Sequence, residues 1–154
     1  MKINKSKFDV IINILCLLCL VGTAVYLIIA WDKIPTSIPG HYNAAGEVDK
    51  MTNKSSSIIL LIVGFIMFIG ISIIEKFPQI WNTGVQVTEE NRDKIYRILK
   101  SMSETMKLLV TLVFSYLSLQ STTGENLPPL FLPIYLSLMF GSITFFIIRL
   151  VKVK

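Results

Sequence analysis

Charged side chains, cysteine and histidine are all scarce in this chain. Charged residues are 16% and hydrophobic residues 53% of its 154 residues, whereas a soluble domain carries about 25% charged residues. The two cysteines cannot build a dense disulfide scaffold, and the single histidine excludes a histidine-rich metal centre. Disorder is excluded because such a chain has ample apolar surface to bury. The composition therefore favours an integral membrane protein.

Four runs of apolar residues predict four membrane spans. The first run, 10–31, has no charged residue and would be about 33 Å long as a helix. It lacks a signal-peptide cleavage site, so we expect it to be retained. The third run is more polar than the others. We predict an all-α, four-helix antiparallel transmembrane bundle, a single membrane domain over 1–154 with spans at 10–31, 57–74, 105–121 and 128–151.

The distribution of positive charge predicts the orientation of these spans. Only three of the 15 lysines and arginines, Lys33, Lys50 and Lys54, fall between the first two spans, and none falls at 122–127. By the positive-inside rule, both termini and the connection 78–104 are cytoplasmic, and the loop 32–56 is external. The net charge of +5 needs no nucleic-acid partner, because basic flanks contact the anionic headgroups of the lipid bilayer.

The external loop 32–56 contains the most distinctive polar sequence. Its prolines and glycines prevent one long helix. We expect the side chains of Asn43 and Asp49 to close local turns, Asp49 by accepting hydrogen bonds from loop backbone N–H groups, and Gly46 to adopt a left-handed conformation. We expect an ordered loop that is either a ligand site, for a cation or a peptide, or a purely structural element tied down by its own side chains. One histidine with one or two carboxylates provides too few ligands for a typical metal site, so we predict no metal and no cofactor. The candidate ligand-binding residues are His41, Asn43, Gly46, Asp49 and Lys54.

The cytoplasmic connection 78–104 predicts an amphipathic helix. Thr88 suits a helix cap, and the helix can continue into the third span. Ile95, Leu99 and Met102 form an apolar stripe, which we expect to lie against the inner leaflet, opposite Arg92, Lys94 and Lys100. The alternative is a docking surface for another protein, for which the candidate residues are Trp81, Asn82, Glu90, Asn91 and Tyr96.

The sequence offers no support for an enzyme or a proton-coupled transporter. Cys16 and Cys19 lie within an apolar span, where a thiol is inert, and there is no second cysteine pair to relay electrons. Motifs of hydrolases and nucleotide-binding proteins are lacking. The ionisable residues of the spans fall near span ends rather than at mid-depth, where an ion pathway would need them: Asp9, Glu75, Glu104 and Lys107.

Two blocks of sequence carry a resemblance to a known family. The first follows the pattern I-P-x-H-[FYW]-N-x-x-G-x-x-D-x-W-x-x-K from Ile38 to Lys54, with Met51 in place of tryptophan. The second follows F-N-x-P-V-x-I-T-x-E-N from Trp81 to Asn91, with Gly84 in place of proline. Both resemble a bacterial membrane domain of unknown function, found at the N-terminus of SdpI-type proteins, the immunity partners of a sporulation-delay toxin.

The resemblance implies a multi-pass protein of the bacterial cytoplasmic membrane. We expect a non-enzymatic, immunity-like or sensor-like module that recognises a membrane-active peptide toxin through its external loop. The alternative is a structural or regulatory subunit that docks another membrane protein, a transporter or a regulator through the 81–100 segment.

Overall fold

The computed structural model describes residues 3–153, and this part of the chain is mostly helical. It contains four α-helices and one antiparallel sheet of two strands. The elements in chain order are α1 (Lys7–Ala30), β1 (Ser37–Tyr42), β2 (Val48–Asn53), α2 (Ser55–Ile74), α3 (Arg92–Gln120) and α4 (Phe131–Lys152). Each predicted span overlaps one helix. The all-α expectation did not include β1 and β2, which form an antiparallel hairpin within the predicted loop 32–56.

Three of the four helices are long and apolar enough to cross a membrane. They are α1 with the turn that follows it, α2 and α4. The predicted third span lies within α3, a helix of 29 residues that also contains most of the predicted amphipathic helix. The two predicted elements are therefore one continuous helix. It begins at Arg92, after a turn in which the Thr88 hydroxyl accepts a hydrogen bond from the Asn91 backbone N–H.

α3 lies at the centre of the packing and contacts each of the other three helices. Its apolar residues Ile95 and Ile98 are buried against Phe146 and Leu150 of α4. The expectation that this stripe lies against the inner leaflet is therefore wrong. Its partner is the C-terminal part of α4, which sequence periodicity alone cannot identify.

The opposite face of α3 buries polar side chains instead of apolar ones. Lys107 is fully buried, and its Nζ lies 2.7 Å from Glu75 Oε2 on the end of α2 and 2.9 Å from Glu104 Oε2. The same ammonium donates to Asn13 Oδ1 of α1 at 3.0 Å, and Asn13 Nδ2 donates to Glu104 at 2.9 Å. One lysine therefore joins three helices.

A second ion cluster lies next to the first, at the start of α1. Asp9 accepts hydrogen bonds from Ser6 in a capping box that begins α1. Its carboxylate also lies 3.0 Å from Arg97 and 3.1 Å from Lys100. Lys100 is buried, so the expectation that it lies on an exposed polar face of α3 is wrong. We call the two clusters together the ion network: Asp9, Asn13, Glu75, Arg97, Lys100, Glu104 and Lys107.

The ion network lies at the end of the helices opposite the hairpin. Asp9 and Glu75 lie near the ends of α1 and α2, as predicted, whereas Glu104 and Lys107 lie in the middle of α3. The convergence of these residues was not predicted from the sequence. Farther along α3, the buried polar face continues with Thr111, Ser115 and Ser118. Ser118 Oγ donates to the Ser57 carbonyl of α2 at 2.7 Å. Because these side chains are small, the backbones of α2 and α3 can approach each other closely.

Replacing Lys107 with alanine tests the ion network. The change leaves two buried carboxylates without their shared cation, and breaking a buried ion pair costs about 3–5 kcal/mol. We expect a large fall in the thermal unfolding midpoint of the detergent-solubilised protein, measured by circular dichroism. Lys94→Ala removes the same side chain from an exposed position of α3 and should change stability by less than about 0.5 kcal/mol. Equal midpoints for the two variants would contradict the interpretation.

Candidate functional site

The turn of the hairpin between β1 and β2 is held by Asn43. Its side-chain carbonyl accepts hydrogen bonds from the backbone N–H groups of Ala45 and Glu47, at 2.9 and 3.0 Å. The chain then reverses through Gly46, whose φ of +84° is a conformation that favours glycine. The prediction that Asn43 closes a local turn and that Gly46 is left-handed is confirmed.

The tip of the hairpin is docked on the connection between α3 and α4. Leu127 N–H donates to the Gly46 carbonyl at 2.8 Å, and Val48 N–H donates to Asn126 Oδ1 at 2.8 Å. The Asn126 carbonyl accepts from the side chain of Gln120 at the end of α3. A Cβ on Gly46 would lie only 3.0 Å from the Leu127 carbonyl oxygen. Glycine is therefore required here both for its φ and for this contact.

His41 and Asp49 pair across the two strands. His41 Nδ1 lies 2.6 Å from Asp49 Oδ1, and both side chains are largely exposed. The prediction that Asp49 bonds loop backbone N–H groups is wrong, because its hydrogen bond in the described residues is to the histidine. An exposed pair of this kind contributes at most about 1 kcal/mol to stability. It therefore leaves both polar groups at the surface, where a ligand can reach them.

Lys54 lies apart from this pair, at the base of the hairpin. Its Nζ donates to the Trp31 carbonyl at 2.9 Å and lies 4.6 Å from the centroid of the Trp31 ring. Because Trp31 follows α1 and Lys54 precedes α2, the contact fixes the hairpin to both helices. The structure thus brings together His41, Asn43, Gly46 and Asp49 on the hairpin and gives Lys54 a separate anchoring position.

A cavity of about 300 Å³ lies between β1 and the ends of α3 and α4. We call it the hairpin cavity. His41, Tyr42 and Asn43 contribute its hairpin side, and Leu117 and Phe131 belong to its apolar wall. Most of the wall is apolar, with a few polar groups along one side. That combination is typical of pockets that take a ligand with an apolar body and a polar end.

The Tyr42 hydroxyl lies in this region. It is buried and has no hydrogen-bond partner within residues 3–153, a state that it shares with the hydroxyls of Thr111 and Ser115 on α3. Burial, and then the neighbouring Tyr116 hydroxyl, raise the pKa of Tyr42, so the phenol stays protonated at neutral pH. An unpaired buried hydroxyl costs about 1–3 kcal/mol. A ligand group that reached this hydroxyl and bonded it would recover this energy.

Aromatic rings extend the wall of the hairpin cavity along α3 and α4. Tyr116 stacks on Phe131 with ring centroids 4.6 Å apart, and Phe131 lies 6.2 Å from Tyr135 in a nearly parallel orientation. Rings that are apolar in the body and polar at the tip concentrate at membrane interfaces. The cavity therefore combines the features expected of a site near a membrane surface.

The second candidate region, Trp81 to Tyr96, satisfies its own polar groups. Trp81 Nε1 donates to the Ile74 carbonyl at 3.0 Å, and the ring lies 6.1 Å from that of Tyr96. The side chains of Asn82 and Asn91 accept hydrogen bonds from the backbone N–H groups of Gly84 and Thr88. Among the candidate docking residues, Asn91 is buried, whereas Asn82 and Glu90 are exposed.

Neither thiol nor metal chemistry is evident in the described part of the chain. Cys16 is buried and both cysteines are free. No group of three or more histidine, cysteine, aspartate and glutamate side chains converges there in a way that could hold a metal ion.

Comparison with known protein families gives a match that includes the hairpin. Residues 17–67 match DUF1648, a domain of unknown function. The matched stretch runs from α1 through both strands into α2, so it includes all five candidate ligand residues. No curated protein and no solved structure shows significant similarity to the chain.

Sequence reasoning missed the residues that complete the hairpin cavity. Tyr42 stood within the recognised motif but received no role, because the side of the strand it faces cannot be read from the sequence. Asn126, Leu127 and Phe131 lie in or after the short connection 122–127, to which the sequence assigned no role. The one available signal was the pair Pro128 and Pro129, which fixes the backbone there. The predicted span 128–151 includes both prolines, but α4 begins at Phe131, after them.

Gly46→Ala tests the docking of the hairpin tip. Alanine in a left-handed conformation costs about 1–2 kcal/mol, and the Cβ must also displace Leu127. We expect faster amide hydrogen exchange in peptides that contain Val48 and Leu127, measured by mass spectrometry. Gly84→Ala is the matched control, since Gly84 has a φ of +66° but no neighbour within 4 Å. If Gly46→Ala left exchange at both segments unchanged, the docking contact would not stabilise the hairpin.

Proposed function

We propose that the protein is a non-enzymatic, immunity-like or sensor-like membrane module of the SdpI type, which recognises a membrane-active peptide at its hairpin. The observation that carries this proposal is the hairpin cavity, which has an apolar wall and an unpaired buried hydroxyl at Tyr42. A membrane-active peptide presents both apolar side chains and polar backbone groups. One apolar side chain would fill the cavity, while a backbone group bonds the Tyr42 hydroxyl.

The exposed polar groups of the hairpin would provide the rest of the recognition surface. His41 and Asn43 border the cavity, and Asp49 is paired with His41. These side chains can form hydrogen bonds with a peptide without first breaking a buried contact. Gly46 and Lys54 would act by positioning, because one docks the tip of the hairpin and the other anchors its base.

The proposal includes a four-helix transmembrane bundle in the bacterial cytoplasmic membrane. Three helices are long and apolar enough to cross a membrane. α3 would be the fourth span. Its charged side chains would disfavour contact with lipid, but they point into the protein. Lys107 and Glu104 are neutralised by partners on α1 and α2. The charge distribution favours cytoplasmic termini and an external hairpin, which is the side from which a secreted peptide arrives.

The resemblance to SdpI-type proteins supports the same function. Its first block, Ile38 to Lys54, lies within the stretch that matches DUF1648. The rival interpretation, docking of a partner through 81–100, has weaker support, because the polar groups of that segment already bond one another and its valines pack against α3 and α4.

Survival of a sensitive bacterial host tests the function directly. Cells that express the chain and cells with an empty vector are challenged with a panel of membrane-active peptides that differ in length and charge. We expect the chain to protect against at least one peptide. If no peptide distinguishes the two strains although the protein is present in the membrane, the immunity proposal fails. Pull-down of one stoichiometric membrane partner would then favour the docking alternative.

Tyr42→Phe separates binding from folding at the hairpin cavity. The change removes the unpaired hydroxyl without changing the ring, so stability should stay equal or rise slightly. Peptide binding should weaken by about tenfold, the effect of losing one hydrogen bond of roughly 1.4 kcal/mol. Tyr26→Phe serves as the control, because that hydroxyl lies at the same end of the helices but outside the cavity. Unchanged affinity in Tyr42→Phe would exclude the hydroxyl from recognition.

Cysteine labelling tests the orientation. In a chain with Cys16 and Cys19 replaced by alanine, single cysteines are placed at the exposed positions of Glu125 and Lys94. A membrane-impermeant maleimide added to intact cells should label the first and not the second. Labelling of both from outside would show that α3 does not cross the membrane.

A further inference from the structure

A second cavity lies at the opposite end of the molecule, beside the ion network. It has a volume of about 280 Å³ and opens between the start of α1 and the end of α2. Acidic and basic side chains form one side of it, and apolar residues of α1 form the other. The apolar side consists of Val10, Ile14 and Leu17, whose side chains are exposed on the outer surface of the helix.

The carboxylates in this cavity already have hydrogen-bond partners within the protein. Both oxygens of Glu104 accept from Asn13, and Glu75 accepts from Ser103 and from Lys107. Asp9 is held by Ser6, Arg97 and Lys100. Three acids thus meet three bases, Arg97, Lys100 and Lys107. The ion network is neutral as a whole and has little remaining capacity to bind a cation.

Two further lysines of the cavity do not belong to the ion network. Lys5 and Lys76 both line it, both are exposed, and neither forms an ion pair with another residue in 3–153. Lys5 precedes α1 and Lys76 follows α2. The cavity therefore presents two unpaired positive charges next to an apolar helix face.

We propose that this cavity binds the headgroup of an anionic glycerophospholipid. The phosphate would lie between Lys5 and Lys76, and an acyl chain would follow the apolar face at Val10, Ile14 and Leu17. Basic pockets between membrane helices recognise anionic lipids by this combination of charge and apolar wall. A free phosphate ion would use the lysines alone, whereas the lipid also uses the helix face. The inference does not depend on the function proposed for the hairpin.

The test uses the purified full-length chain in a neutral detergent. It is titrated with fluorescent short-chain phosphatidylglycerol and with phosphatidylcholine of the same chain length. We expect clear preference for phosphatidylglycerol in the wild type. The double variant Lys5→Gln, Lys76→Gln should lose this preference, with about thirty-fold weaker binding of the anionic lipid for two lost lysine contacts. The double variant Lys5→Arg, Lys76→Arg should retain it.

A matched control removes two lysines from the other end of the molecule. Lys33 and Lys50 are also exposed, so Lys33→Gln, Lys50→Gln changes the net charge equally and should keep the lipid preference. In the wild type, 1 M salt should weaken binding of the anionic lipid by screening, a result that does not depend on any variant folding.

Three outcomes would overturn the proposal. The first is equal binding of both lipids by the wild type. The second is equal loss of preference in the two glutamine variants, which would indicate attraction by net charge alone. The third is displacement of the lipid by soluble glycerol phosphate at the same concentration, which would identify a phosphate site that does not use the helix face.

Discussion

The arrangement of the helices depends on one buried cation, the ammonium of Lys107. It is shared by a carboxylate at the end of α2, a carboxylate on α3 and an amide on α1. A buried charge is tolerated only where its partners satisfy it, because transfer out of water is costly. These partners come from three helices, so the charge is satisfied in one arrangement of α1, α2 and α3. Apolar side chains alone would permit sliding of one helix past another, whereas this contact fixes their register.

The position of the hairpin follows from that register. Lys54 ties the base of the hairpin to Trp31, while Asn126 and Leu127 hold its tip against the connection after α3. The first contact depends on how α1 and α2 are placed, and the second on where α3 ends. The hairpin cavity therefore has its shape because both ends of the hairpin are anchored to helices whose register is fixed elsewhere.

Much of the helical framework could be predicted from the sequence, because long apolar runs report directly on α1, α2 and α4. The continuity of α3 was also readable, although the helix begins at Arg92 and not directly after Thr88, where the sequence predicted its cap. The burial of Lys100, Glu104 and Lys107 was not, although they recur at intervals of four and three on one helix face. Polar residues at that spacing predict an exposed face unless the partners are known, and those partners lie far away in sequence, at Asp9, Asn13 and Glu75.

The candidate site was likewise predicted only in part. His41, Asn43, Gly46 and Asp49 were found because a motif and turn chemistry are local properties. The hydrogen-bond partner of Asp49 was predicted wrongly. A carboxylate in a loop can bond either backbone N–H groups or a histidine on the neighbouring strand, and only the strand pairing decides between the two. Tyr42 was missed because the faces of a short strand that contains Pro39 and Gly40 cannot be assigned by simple alternation.

The two ends of the molecule differ in how fully their polar groups are satisfied. In the ion network every carboxylate oxygen accepts a hydrogen bond, so this end resists rearrangement, and what it offers a ligand is confined to the lysines at its edge. At the hairpin the Tyr42 hydroxyl is buried without a partner in the described chain, beside a cavity and beneath exposed polar groups. Stability alone would favour phenylalanine at position 42, since it fills the same space without an unpaired hydroxyl. A tyrosine here would be accounted for if, as we propose, the hydroxyl bonds a molecule that enters the cavity. Within residues 3–153 the ion network has no such unpaired group, and this difference is why our proposal locates binding at the hairpin.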